Sequence, residues 1–391
     1  MNTPQRQILS LLMRKDGATI PQLADALDLS IGTATKYVGA LVSEGYLEDC
    51  GKAESVSGRR PHLFRLRADA GWFLGLDVND RYINIGLMDF RGEMHKTQLV
   101  EDFALEEEGA FDRLGTILRK AIDYTARKGH ALKHICVSLP GRVNARTGDS
   151  YSYFYTPGQV LANRLQELVG VPLCLYNDTR AMTYGELLKG AGVGCRNMLM
   201  INVNWGLGMG IIIDSSVYGG KSGFAGEFGH VYGYDNQVIC RCGKRGCHET
   251  EISGQALQRH LVERIRAGES SILSRHVLSS EKPLTLSEIM DAVAREDVLY
   301  IDVIEQIGLQ LGQKTAGLIN LFNPELVVVG GELAMTGDYL LDPMRMAVNK
   351  HAIHLVSKDT RICRGALGMD AGIVGACLVA RNRSIGESFE K

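Results

Sequence analysis

A histidine and three cysteines lie close together in the stretch FGHVYGYDNQVICRCGKRGCHE, namely His230, Cys240, Cys242 and Cys247. One imidazole and three thiolates form the ligand set of a closed tetrahedral zinc site. Gly243 and Gly246 let the chain turn tightly around an ion. A disulfide pair or chance spacing would use the same residues, but the nine cysteines are odd in number and mostly scattered. The pattern therefore predicts a structural zinc ion, with no vacant position for catalysis.

The composition is that of a globular protein long enough for two or three domains. The 391 residues are 45% hydrophobic and 23% charged, which is ordinary for such proteins. A net charge of −2 argues against nucleic-acid binding by the whole surface, so any such role must be local. No apolar run approaches the ~20 residues that span a bilayer, and the first residues are too polar for a secretory signal. We therefore expect a cytoplasmic protein with no membrane partner.

The first 68 residues predict three short helices followed by a hairpin. Pro21 opens the second helix, and Ser30 is a good N-cap for the third. The inward positions of the three helices are expected to be Ile8, Leu11 and Leu12, then Leu23, Leu27 and Leu29, then Ala34, Val38, Leu41 and Val42. EGYLED and HLFRLR then predict a β-wing. Residues 1–68 are thus predicted to form a winged helix-turn-helix domain, whose third helix would enter the major groove.

Polar and basic residues of this domain are the candidate DNA contacts: Ser30, Thr33, Thr35, Lys36, Arg59 and Arg60. A solvated polar face or a protein-binding surface would also explain the helix residues. The wing favours DNA, because its basic residues face a single acid, Glu54. Those basic residues are Lys52, Arg59, Arg60, Arg65 and Arg67.

Residues 69–391 alternate strand and helix patterns in two successive halves, which predicts an α/β fold with two lobes around a cleft. Strand pairs are expected around turns at Asn79-Asp80 and Arg91-Gly92. Further strands are predicted at HICVSLPG, VPLCLYND, MLMINVNWGLGMGIIID and ELVVVGG. Helices are predicted from Phe111 to Arg127, at LANRLQELVG, and from Tyr300 to Leu321. Tyr151, Tyr153, Phe154 and Tyr155 could stack on a sugar or form core, and core is favoured.

Five motifs occur in a fixed order along the chain: the hinge SGRRP at the wing, and after it PGRVN, NDTRAMTYGE, GFAGEFGH and CRCGKRGCHE. In this arrangement the chain resembles transcriptional regulators of the ROK family (repressors, open reading frames and sugar kinases). The resemblance implies an actin-like, ribonuclease-H-like two-lobed ATPase-type domain over residues 69–391. Kinase members of that family phosphorylate hexoses, and repressor members add the DNA-binding domain.

The resemblance also implies a sugar site made of Asn177, Asp178, Glu227, His230 and Glu249. Asp178 matches the kinase general base, and Asn177 beside it would bind a ring hydroxyl. Glu227, His230 and Glu249 match contacts near the anomeric end of the sugar. His230 would place one ring nitrogen on zinc and direct the other toward the sugar.

Two departures from the kinase pattern argue against ATP binding. Kinases carry Asp-x-Gly-Gly-Thr at the first phosphate turn, where this chain has Asp77-Val78-Asn79-Asp80. At the second turn Asn204-Trp205-Gly206 replaces Gly-Thr-Gly. Two glycines that would admit phosphate are missing, and Asp80 adds a negative charge. We therefore expect no enzymatic activity, with Asp178 as a vestigial base.

These features together predict a sugar-responsive repressor of carbohydrate-metabolism genes. It would bind a palindromic operator as a homodimer or a dimer of dimers, and a sugar or sugar phosphate would be its effector. Two alternatives stay open at this point. One is a bifunctional sugar kinase, and the other is a regulator that responds to a protein partner.

Overall fold

The computed structural model describes residues 1–52, 61–100, 103–279, 284–386 and 390. The chain divides into two compact units, which are described separately. The first comprises Met1–Tyr184 and Gly372–Phe389, whereas the second comprises Gly185–Ala371 and Glu390–Lys391. None of the helices in the described ranges is long and apolar enough to cross a membrane.

The chain begins with the predicted winged helix-turn-helix. Its elements are α1 (Thr3–Leu12), β1 (Ala18–Thr19), α2 (Ile20–Ala26), α3 (Ile31–Ser43), β2 (Leu47–Lys52) and β3 (His62–Leu66). The three strands pair antiparallel in the order β1-β3-β2. Asn2 and Thr19 start α1 and α2 through reciprocal bonds with Gln5 and Gln22, so the backbone N–H groups at both helix starts have partners. Ser30 caps α3, as predicted.

The helices bury most of the expected apolar side chains of this domain. Ile8, Leu12, Leu23, Ala34, Val38 and Leu41 are buried, as expected. Leu9 takes the buried place predicted for Leu11. Leu27, Leu29 and Val42 are only half-buried, because they lie at or beyond helix ends, where fewer neighbours surround them.

The rest of the first unit is built on a five-stranded sheet with the order β10-β7-β4-β5-β6. Its elements are β4 (Trp72–Val78), β5 (Ile83–Asp89), β6 (Met94–Val100), α4 (Ala110–Arg127), β7 (Leu132–Leu139), β8 (Val143–Asn144), β9 (Asp149–Ser150), α5 (Leu161–Val169) and β10 (Leu173–Asn177). Every residue of β4 is buried, as expected for a central strand, whereas β6 at the edge is mostly exposed. Helices α4 and α5 pack against the sheet in one apolar core.

The sheet carries two glycines because a helix crosses its other face closely. A Cβ atom on Gly75 would lie 2.8 Å from the Cys377 nitrogen, and one on Gly86 would lie 2.6 Å from Cγ1 of Ile373. Both contacts are shorter than real Cβ atoms make, so larger residues would displace the helix. That helix follows the second unit in sequence and returns the chain to the first.

The second unit has its own five-stranded sheet with the order β13-β12-β11-β14-β15. Its strands are β11 (Met198–Val203), β12 (Leu207–Ile213), β13 (Ser216–Val217), β14 (Leu326–Gly330) and β15 (Arg361–Arg364). Helix α6 (Asp178–Lys189) enters the unit, and helix α13 (Ala371–Ser384) leaves it. Between them lie α7 (Gly254–Arg266), α8 (Ser274–Ser279), α9 (Leu286–Ala294), α10 (Val298–Phe322), α11 (Asp338–His351) and α12 (His354–Ser357).

The observed elements confirm the predicted strands and the three predicted helices of the α/β part. The structure adds helices that the sequence patterns did not predict, notably α6, α7, α11 and α13. The aromatic residues of the run 151–155 differ in burial. Tyr153 and Phe154 pack against the core of the first unit, as favoured. The prediction is wrong for Tyr151 and Tyr155, which are 45% and 55% exposed.

Arg91 connects the wing to the sheet within the first unit. Its Nε donates to the Leu66 carbonyl at 2.8 Å, and its guanidinium pairs with Glu48 of β2. Tyr46 and Phe90 add a ring contact with centroids 5.6 Å apart. The β5–β6 turn and the wing are therefore held together by polar and apolar contacts.

Candidate functional site

His230, Cys240, Cys242 and Cys247 form a group of potential metal ligands in the second unit, called the metal cluster below. Their donor atoms all lie within 4.8 Å of one another. Cys240 Sγ is 3.5 Å from His230 Nδ1, and Cys242 Sγ is 3.6 Å from Cys247 Sγ. Zinc bond lengths place the donors of a tetrahedral site ~3.5–3.8 Å apart, so these two distances match the edges of such a site. The donor set therefore fits Zn²⁺.

The backbone around the metal cluster is shaped by tight turns. His230 ends a short 3-10 helix (Phe228–His230), and Cys247 pairs with Tyr232 through a β-bridge. Gly243 and Gly246 have φ angles of +84° and +75°, which confirms the expected tight turns. Burial raises the pKa of the Cys240 and Cys247 thiols. A cation bound there would favour their thiolate forms.

Glu227, His230 and Glu249 lie together beside this metal cluster. His230 directs Nδ1 toward Cys240, whereas its Nε2 lies 3.8 Å from Glu227 Oε2. Glu249 accepts the Leu207 N–H at 3.0 Å through one oxygen and contacts Cys240 Sγ at 3.5 Å through the other. The cluster thus positions both an imidazole nitrogen and a carboxylate that could meet a sugar hydroxyl.

Asn177 and Asp178 lie in the first unit, where β10 runs into α6. Asn177 Oδ1 accepts the Arg180 N–H at 3.0 Å, so this side chain caps the helix. Its amide donates to the Gly141 carbonyl at 3.0 Å and to Asp178 at 2.9 Å. The asparagine therefore orients the Asp178 carboxylate as well as starting the helix. A role for Asn177 in sugar binding stays a prediction.

Asp178 is one of three acids grouped in the first unit. Burial first, and then the charges of Asp77 and Asp80, raise its pKa from 3.8 to about 7 against hydrogen bonds from Thr179 that lower it. Burial also raises the pKa of Asp77 to about 6, although Asn79 and Ser138 donate hydrogen bonds to it. The negative charge of this group opposes a further anion and leaves Asp178 partly protonated at neutral pH.

The two turns that match the kinase phosphate turns are occupied by their own hydrogen bonds. Asn79 N–H bonds to the Tyr82 carbonyl at 2.9 Å, and Asn204 N–H bonds to the Gly206 carbonyl at 3.0 Å. Neither amide is free to donate to a phosphate oxygen. The Trp205 backbone also packs against the start of α7, where a Cβ on Gly254 would lie 3.2 Å from the Trp205 Cα.

The candidate DNA contacts on α3 have defined partners. Ser30 Oγ lies 2.8 Å from Thr33 Oγ1, and Thr35 donates to the Ile31 carbonyl at 2.7 Å. Thr35 and Lys36 are exposed, whereas Thr33 is half-buried. The hydroxyls of Ser30 and Thr33 are therefore partly committed to the helix start.

The wing retains less free positive charge than the sequence indicated. Arg65 pairs with Asp16 at 3.2 Å, and Arg67 pairs with Asp69 at 2.6 Å. Both arginines thus have acidic partners. Only Glu54 was counted from the sequence as an acid of the wing, because Asp16 is distant in sequence and Asp69 lies just beyond the wing. Arg59 and Arg60, like Glu54, lie outside the described residues.

Two protein-family profiles match this chain. The profile of the ROK family matches residues 73–383, and a winged helix-turn-helix DNA-binding profile matches residues 1–48. The chain belongs to the ROK family. This ROK protein is 26% identical to the xylose repressor of Bacillus subtilis strain 168 over 376 residues, which cover 95% of this chain and 93% of that repressor.

Two solved structures share the fold of this ROK protein. One is a ROK family transcriptional regulator, a homolog of the E. coli MLC protein, with a TM-score of 0.81 and 26% identity over 97% of this chain and 95% of that one. The other is a ROK family glucokinase from Streptomyces griseus in complex with glucose and AMPPNP. Its TM-score is 0.68 with 28% identity over 80% of this chain and 99% of the glucokinase. The predicted actin-like two-lobed fold with a preceding winged helix-turn-helix is confirmed.

Two features of the candidate sites were not predicted from the sequence. Asp77 was treated only as part of an altered turn, but its charge acts on Asp178. The capping role of Asn177 was missed as well, although a polar residue directly before a helix start is a recognised signal.

Proposed function

We propose that this ROK protein is a sugar-responsive, DNA-binding transcriptional repressor of carbohydrate-metabolism genes. The observation that carries this proposal is how much of the chain each relative covers. The alignment with the regulator structure covers 97% of this chain. The alignment with the glucokinase covers 99% of the glucokinase but only 80% of this chain. The fifth of this chain that the glucokinase does not cover is long enough for the winged helix-turn-helix matched at residues 1–48, so the chain has the domain organisation expected of a regulator.

The effector is proposed to be a sugar or sugar phosphate. Its proposed contacts are the residues that match the family's sugar site: Asn177, Asp178, Glu227, His230 and Glu249. Carboxylates, an amide and an imidazole suit the many hydroxyls of a sugar, since each donates or accepts in a fixed direction. Zinc on the metal cluster would hold His230 and Glu249 in place. Because the relatives include a xylose repressor and a glucokinase, pentoses and hexoses are the first candidates.

The operator is proposed to be a palindrome bound by a homodimer or a dimer of dimers, with residues 1–68 as the DNA-binding domain and 69–391 as the effector domain. The ligand would act by binding the operator-bound and free conformations with unequal affinity.

Operator binding is expected to depend steeply on salt, because lysine and arginine side chains displace counterions from phosphates. The triple variant Lys36→Ala/Arg59→Ala/Arg60→Ala should lower the slope of log K against log salt by about 0.9 for each phosphate that is no longer neutralised. Fluorescence anisotropy over roughly 50 to 200 mM salt measures this slope. Arg196→Ala is the matched control, since it removes an exposed arginine of the second unit. An unchanged slope in the triple variant would place the DNA surface elsewhere.

Phosphoryl transfer is proposed to be absent, because it depends on positioning and on neutralising phosphate charge. Wild-type protein should release no sugar-dependent ADP with magnesium and ATP under conditions in which a ROK glucokinase turns over. A coupled ADP assay measures this directly. Steady turnover that Asp178→Asn abolishes would instead support the bifunctional kinase.

A further inference from the structure

Ile31 is an exposed apolar residue at the start of the recognition helix. It is the first residue of α3, directly after the Ser30 cap, and it is 54% exposed. Among the described residues of the winged helix-turn-helix, the other exposed large apolar side chain belongs to Met1 at the chain terminus. The spacing of Ile31 from Ala34 and Val38 is that of an inward helical face. The fold nevertheless leaves Ile31 outside the core.

The surface of α3 around Ile31 carries few bulky side chains. Thr35, four residues after Ile31, is exposed on the same side of α3, and Lys36 is exposed next to it in sequence. A Cβ atom on Gly32 would meet only Ser30 Oγ at 4.0 Å, and one on Gly39 would meet nothing within 4 Å. Packing inside the protein therefore does not require either glycine, although glycine disfavours a helix. Small residues at such positions allow another molecule to approach the helix backbone closely.

The polar neighbour of Ile31 has limited capacity to read bases. The Thr35 hydroxyl already donates its hydrogen to the Ile31 carbonyl at 2.7 Å, so it retains only acceptor capacity. Lys36 supplies positive charge, which attracts phosphate but carries no sequence information by itself. Ile31 is thus the large apolar group on this part of the helix.

We infer that Ile31 reads a thymine in each operator half-site by contact with its C5-methyl group. The residues at the start of a recognition helix contact base edges in the major groove. The thymine methyl is the apolar group that the major groove presents there. The inference rests on the proposed DNA-binding function and adds to it the chemistry of the base that is read.

The test compares thymine with uracil, which lacks only the methyl group. Full-length protein first selects operators from a pool of random duplex DNA. Each thymine of the selected operator is then replaced by uracil, in one half-site at a time, and the Kd is measured by fluorescence anisotropy at fixed salt. Replacing the contacted thymine in a single half-site should weaken wild-type binding by roughly fourfold, the value expected for one methyl group buried against an apolar side chain.

The variant Ile31→Ala should bind the thymine operator more weakly and should not distinguish it from the uracil operator. Lys36→Ala should bind both operators more weakly by the same factor. Val298→Ala is the matched control, because Val298 is also an exposed branched residue at the first position of a helix, in the second unit. It should keep the wild-type response to uracil.

Three results would overturn this inference without affecting the proposed function. Wild-type protein could bind a selected operator with the same Kd for thymine and uracil, or Ile31→Ala could keep the wild-type sensitivity to uracil. In the third result, Ile31→Ala weakens operator binding and also changes the sedimentation coefficient of the free protein. The last result would identify Ile31 as a contact between copies of the chain. If the protein selects no sequence from the pool, the proposed function fails and the inference fails with it.

Discussion

Cys247→Ser is expected to abolish stoichiometric zinc binding and the response to sugar together. Wild-type protein should hold one zinc per chain, since His230, Cys240, Cys242 and Cys247 complete a tetrahedral set. Removing a ligand leaves the buried Cys240 thiol and the half-buried Cys242 thiol without their cation. We expect the second unit to lose about 3 kcal/mol of stability, or roughly 6–12 °C in unfolding temperature.

The sugar response should be lost by the same variant because the metal cluster holds two proposed sugar contacts. Cys240 Sγ contacts both His230 Nδ1 and Glu249 Oε1 at 3.5 Å. Elemental analysis of dialysed protein and calorimetry measure metal content and stability. Cys50→Ser is the matched control, because Cys50 is exposed on the wing and distant in sequence from the metal cluster. Metal-free wild-type protein that still responds to sugar would contradict this prediction.

The stability of the first unit is expected to fall as the pH rises from about 4 to about 7. Asp77 and Asp178 have folded pKa values of about 6 and about 7, raised from 3.8, so the folded state holds their protons more tightly than the unfolded state. Their favourable contribution is complete below about pH 4 and is lost as the pH passes about 6 and then about 7. A rise of the Asp178 pKa from 3.8 to about 7 corresponds to ~4 kcal/mol of unfolding free energy if the whole shift counts. Because Asp178 is partly exposed to solvent, we expect about 2 kcal/mol.

The variant Asp178→Asn should remove the upper part of this pH dependence and stabilise the protein at about pH 8. The fall near pH 6 should remain, because Asp77 is unchanged. Thermal unfolding at half-unit steps of pH measures both effects. Asp338→Asn replaces an exposed carboxylate and should keep the wild-type profile. If the Asp178→Asn profile runs parallel to that of wild type, ionisation of Asp178 does not destabilise the folded state, and the prediction is contradicted.

Local signals predicted much of this molecule. Ser30 as a helix cap, the turns at Gly243 and Gly246, and the strand at β4 all depend on neighbouring residues, so the sequence was sufficient for them. The metal cluster was predicted for the same reason, since its four donors lie in one short stretch.

Features that depend on contacts between distant segments could not be predicted from the sequence pattern. Helix α13 returns to the first unit and explains Gly75 and Gly86, but nothing near those glycines indicates this. Arg65 was counted as free charge until the fold placed it beside Asp16. The raised pKa of Asp178 likewise arises from burial and from acids on another strand connection.

Operator affinity measured with and without sugars tests the central claim most directly. Full-length protein, a selected operator and a panel beginning with D-xylose, D-glucose and their phosphates are sufficient, with fluorescence anisotropy as the readout. The account predicts that at least one sugar changes the operator Kd by about tenfold or more, that Asp178→Asn weakens this response, and that no sugar is phosphorylated. Operator binding that is indifferent to every sugar, together with sugar-dependent ADP release, would contradict it.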